Sequence, residues 1–144
     1  MNAEMEATYR LRLAEGFLEE ARQDIQTRRW RSCVDNAQLA VENAAKAALA
    51  GLGPIGRTHN PAPLIRQALA AGRFSPEASV TVERLAECAE LLGPDVHMQS
   101  DYGDEAGART PWELFNEDDA RQALGIAEEA VRLARSGWGQ PPNH

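Results

Sequence analysis

Between Val34 and Asn60 the chain reads V-D-N-A-Q-L-A-V-E-N-A-A-K-A-A-L-A-G-L-G-P-I-G-R-T-H-N, an alanine-rich run that ends in glycine and proline. Val34, Ala37, Val41, Ala44 and Ala48 fall three and four apart, which lays them along one stripe of a helix. Side chains this small let a neighbouring helix come close, the condition for a bundle seam. Gln38, Glu42 and Lys46 repeat at every fourth position on another face, and Lys46 is the only lysine among fifteen basic residues. G-L-G-P-I-G then stops the helix, because glycine accepts left-handed angles and Pro54 cannot continue the ladder. Arg57, Thr58 and His59 stand just past that stop.

The same periodicity organises the rest. Leu11, Ala14, Leu18, Ala21 and Ile25, widened by Leu13 and Phe17, predict a first helix over 4–27. R-R-W-R at 28–31 is so short a junction that this helix and the next, from about Trp30 to Leu52, must be antiparallel neighbours. Asn60-Pro61 reads as an N-cap with proline at the first position of a third helix, to about Ala71. Ser75-Pro76 repeats the device for a fourth, to about Leu92, with Val82, Leu85, Ala89 and Leu92 facing inward. Residues 93–115, which include Pro94 and Pro111, read as a long polar loop of the kind that is functional or mobile. Asn116, followed by Glu117, Asp118 and Asp119, caps a fifth helix whose buried face runs from Ala120 to Ala134. No segment alternates as a strand and no repeat is visible. The expected fold is all-α: an antiparallel up-and-down bundle of four or five helices, one domain over 1–136, with 137–144 a flexible tail.

A chain of 144 residues can bury a core without disulfides or metal. Cys33 and Cys88 both sit in apolar helical patterns, so free buried thiols and a cytoplasmic location are expected. The acidic opening M-N-A-E-M-E-A-T is unlike a secretory signal, and no apolar run approaches membrane-spanning length. The net charge of −7 is uneven: residues 77–120 hold twelve acids against Arg84 and Arg109 and carry −10, while residues 1–76 carry +2. An acidic half of this strength repels a phosphate backbone, which disfavours broad binding of nucleic acid. A local basic turn can still hold one phosphate.

Several constellations bear on chemistry. Gly51, Gly53 and Gly56 match G-x-G-x-x-G, yet a helix precedes them where a dinucleotide fold needs a strand; they are a helix stop. Arg57 and His59 suit a phosphate beside the next helix's free amides, or more plainly a histidine that fixes the turn. Glu42 and Lys46 suit a groove, or an ordinary surface pair worth about 0.2–0.5 kcal/mol. Asp95, His97, Asp101, Asp104 and Glu105 gather metal-ligand types without EF-hand or H-E-x-x-H spacing, so a solvated acidic loop is expected and no metal or cofactor. Arg28, Arg29 and Arg31 around Trp30 suit phosphate plus stacking, or a core tryptophan ringed by solvated arginines, and the two accounts balance.

A-Q-L-A-V-E-N-A-A-K-A-A-L, then R-T-H-N, then S-D-Y-G-D followed by R-T-P-W-E-L-F-N-E-D-D-A-R-Q-A-L resembles the HEPN family, in that family's order, over roughly residues 6–135. The A-x-x-A-x-E-x-x-x-K core from Ala37 to Lys46 is the most specific piece. The resemblance implies a bundle related to the substrate-binding helical domains of nucleotidyltransferases, usually homodimeric, with many members encoded beside a minimal nucleotidyltransferase as toxin–antitoxin pairs. Some members are metal-independent ribonucleases that place an arginine four to six residues before a histidine. Here Arg57 is too near His59 and Arg84 too far from His97, and Asp101-Tyr102-Gly103 puts a carboxylate where relatives often carry a cation. A carboxylate there repels a scissile phosphate. The expected function is therefore a non-catalytic regulatory partner of a nucleotidyltransferase, with a nucleotide held between the second and third helices and the late loop. Arg57 and His59 are expected on the phosphate, then Lys46 with Glu42, with Tyr102 stacking a base and Arg109 closing the loop. The alternatives are a degenerate ribonuclease using His97 with Arg109, and a pure protein-interaction module.

Overall fold

The structure is a computed structural model and describes residues 2–137. Seven helices follow one another among the described residues: α1 (Ala3–Gln26), α2 (Trp30–Ala50), α3 (Ala62–Ala70), α4 (Pro76–Leu91), α5 (Pro94–Tyr102), α6 (Pro111–Leu114) and α7 (Glu117–Arg135). The fold is all-α, an antiparallel helical bundle. None of these helices is long and apolar enough to cross a membrane. Most of the expected tail, residues 138–144, lies outside the described residues.

Helix α2 is the spine, packed against α1 and α7 most extensively and also against α3, α4, α5 and α6. Every residue from Ala40 to Ala50 is buried, as expected of a helix enclosed on all sides. The alanines that permit this, Ala37, Ala40, Ala44, Ala45 and Ala48, meet Leu18, Ile65, Val82, Leu85 and Val131 from the surrounding helices. Cys33 and Cys88 are buried free thiols in the same core.

Local signals set the ends. Asn2 Oδ1 accepts from the Met5 amide at 2.8 Å, Ser75 Oγ accepts from the Ala78 amide at 3.1 Å, and Asn116 and Asp119 form a reciprocal capping box. The α1–α2 turn closes with the Arg28 amide on Ile25 O and the Arg29 amide on Asp24 O. Arg28 takes φ +60° there, a left-handed angle that costs a side-chain-bearing residue roughly 1–2 kcal/mol.

Two expectations need correction. Asn60 is not the cap of α3: Pro61 occupies that position, no side chain caps the helix, and the Asn60 amide donates to Thr58 Oγ1 at 3.0 Å. With Pro61 in the capping position there is no polar side chain to accept from the first-turn amides, and Pro63 at the second helical position has no N–H to offer. Nor is 93–115 an irregular loop, since it folds into α5 and α6 joined by a tight hairpin with an isolated antiparallel bridge, Asp104 to Arg109. Proline opens both helices at the position where a missing amide costs nothing. Periodicity hid α5 because its only fully buried side chain is polar, Ser100. Gly103 makes the hairpin possible at φ +73°, where a Cβ would lie 2.2 Å from Arg109 O.

Candidate functional site

The polar row read from the sequence on α2 is buried: Gln38 is 1 % exposed, Glu42 4 % and Lys46 6 %. Glu42 is their hub, accepting from Lys46 Nζ at 3.1 Å and from Gln38 Nε2 at 3.4 Å. The reading of Glu42 and Lys46 as an ordinary surface pair therefore fails. An ion pair this deep is kept at the expense of desolvating both charges. Gln38 Oε1 has no partner among the described residues.

The turn after α2 lays His59 over this row. Its Nδ1 lies 3.5 Å from Glu42 Oε2 while the ring stays 78 % exposed. His97 comes up from α5 beside it, and the two imidazoles stack with centroids 6.1 Å apart and planes 7° apart. His97 in turn sits between two carboxylates, with Nδ1 3.7 Å from Asp35 Oδ1 and Nε2 3.5 Å from Asp101 Oδ2. Its buried Nδ1 makes no hydrogen bond among the described residues.

Arg31, at the start of α2, pins this second half. It donates to Ser100 O and, at 3.1 Å, to Asp101 Oδ1, and lies 3.8 Å from Asp35 Oδ2. Ser100 Oγ donates to Asp35 at 3.0 Å. Desolvation pushes the Asp35 carboxyl up from its ordinary range, and Asp101 adds to that, while the Ser100 hydroxyl and Arg31 oppose it. Asp35, His97 and Asp101 offer ligand atoms within 4.8 Å of one another. Arg31 already supplies the positive charge that a cation would bring. Of the five residues read from sequence as a ligand-rich loop, only His97 and Asp101 belong to that trio.

The structure thus gathers Glu42, Lys46 and His59 into one polar seam and adds His97, Asp35, Asp101 and Arg31. Arg57 is exposed two residues before His59. Tyr102 is exposed at the end of α5, and Arg109 donates forward to Glu113 O in α6. Asp35 and Ser100 were not anticipated: each joins the site across more than sixty residues, a pairing that helical spacing does not encode.

An all-helical bundle with one buried, ion-paired polar row under stacked histidines defines the class. The HEPN domain family model matches residues 7–136, and the chain belongs to the HEPN family. No curated protein matches it.

Proposed function

We propose that the protein is a non-hydrolytic HEPN bundle that binds a nucleotide over the His59–His97 stack and acts as a regulatory partner, homodimeric and cytoplasmic, in a nucleotidyltransferase-linked toxin–antitoxin type of system. The observation that supports this reading best is the stack itself, two imidazoles from separate elements set over Glu42 and between Asp35 and Asp101. Carboxylates beneath suit ribose hydroxyl donors, and Arg57 and His59 at the exposed rim suit the phosphate. Arg31, the arginine that reaches the His97 half of the seam, has its charge already engaged by Asp101, which favours holding a ligand over cleaving one. Family membership and the acidic stretch 77–120 favour a partner with a basic face.

Calorimetric titration with AMP and ATP tests it. Wild type gives saturable heat, and His59→Ala and Arg57→Ala weaken binding at least about tenfold, the cost expected for a charge-assisted contact. Absence of heat beyond dilution ends the reading.

A second reading, a metal-independent ribonuclease, has its own support. Each imidazole has a carboxylate to orient it, as paired general acid and base require. Cleavage of single-stranded RNA in EDTA that disappears in His97→Ala would select it.

A further inference from the structure

We propose a second ligand site at the corner where α1 turns into α2, a cleft that takes a nucleoside monophosphate unit with its base on Trp112 and its phosphate on Arg28 and Arg29. The cleft encloses about 510 Å³ and is lined by Arg28, Arg29, Trp30, Arg31, Trp112 and Phe115, with Ser32 its remaining wall residue. None of its lining residues is acidic. It shares Arg31 with the histidine seam but takes its ligand contacts from Arg28, Arg29 and Trp112, which lie outside that seam.

Three observations carry it. Trp112 is 72 % exposed, although an indole is the side chain with most to gain from cover. The Arg31 guanidinium carbon lies 5.9 Å from its ring centroid, which fixes the indole on one side and leaves the rest open to stacking. Arg28 and Arg29 form no ion pair among the described residues, whereas seven other arginines do. Seven of the fourteen arginines lack such a pair among the described residues, and Arg28 and Arg29 are the two of them that are neighbours in sequence. The left-handed Arg28 holds both at the mouth of the same cleft. Phosphate needs guanidinium donors and a nucleobase needs an aromatic face, and this corner supplies both within one cavity. The acidic half of the chain limits the ligand to something small, one nucleotide unit rather than a long strand.

The test uses the indole N–H resonances of Trp30 and Trp112, assigned with Trp30→Phe and Trp112→Phe. Titration with AMP moves both, adenosine binds at least about tenfold more weakly, and inorganic phosphate alone moves neither. Trp112→Ala and Arg29→Ala each weaken AMP binding about tenfold or more without changing helicity or Tm. His59→Ala leaves the indole shifts intact, so loss of imidazole shifts with retained indole shifts separates failure of the seam from failure of the cleft. A 5′-phosphorylated tetraadenylate run beside AMP tells a strand terminus from a free nucleotide, and tight binding of either supports the site. Unmoved indoles at millimolar AMP overturn it. So does equal binding of adenosine, or a Trp112→Ala variant whose main effect is on the sedimentation coefficient, which reassigns the patch to contact between copies.

Discussion

His59 and His97 lie with their rings parallel, 7° apart in plane and 6.1 Å between centroids, although one comes from the turn after α2 and the other from α5. Each has a carboxylate of α2 beside it, Glu42 at 3.5 Å from His59 and Asp35 at 3.7 Å from His97, two helical turns apart. Three carboxylates in the seam face two permanent cations, Lys46 and Arg31. One negative charge is left for the histidines to answer.

Lys46→Met is the sharpest test of the buried row. Removing one partner leaves Glu42 charged and covered, and urea denaturation is expected to show a loss of about 3 kcal/mol or more. The double variant with Glu42→Gln recovers much of that loss, because the uncompensated charge is gone.

Cys33 and Cys88 will be slow towards thiol reagents. Burial pushes the Cys33 thiol up to about 12 and the Cys88 thiol up to about 11, so neither supplies thiolate at pH 8. An aromatic disulfide reagent should titrate no thiol within minutes in buffer and two in denaturant.

Arg84 grips Glu129 through two hydrogen bonds, 2.8 and 2.6 Å, and holds that carboxyl below its ordinary value of 4.5. A depressed carboxyl stabilises the fold above the unfolded-state value, and the contribution fades as pH falls through the folded-state value. Arg84→Ala should therefore lower Tm at pH 7, and its gap to wild type should narrow as the pH drops below 4.5.

Gly103→Ala should damage the hairpin and not the bundle. The new Cβ meets backbone and the residue must hold φ +73°, a strain on the order of 1–3 kcal/mol. Hydrogen exchange is expected to speed up at the Asp104 and Arg109 amides, which pair across the bridge, and to stay slow in α2.

Much of the bundle is legible in the residues because its helices advertise themselves twice, by stripe and by cap. Ser75 and Asn116 cap where their side chains predict, and the alanine stripe of α2 ends at Ala50, where the glycines begin. Helix α5 is not legible, since Ser100 is what it buries and a lone serine carries no hydrophobic period. The seam is half legible. Spacing puts Gln38, Glu42 and Lys46 on one face but does not say whether water reaches that face; neighbours from distant parts of the chain decide it. Asp35 and Trp112 were invisible for the same reason, their roles being set by contacts with Ser100 and Arg31.

Arg31 has one guanidinium and two claims upon it. On one side it compensates Asp101 and Asp35; on the other it leans over Trp112. A ligand that draws it outward strips the acids of their counter-ion, and by thermodynamic reciprocity anything that engages those acids loosens the indole. Arg31 is thus the side chain through which occupancy of one proposed site would be felt at the other.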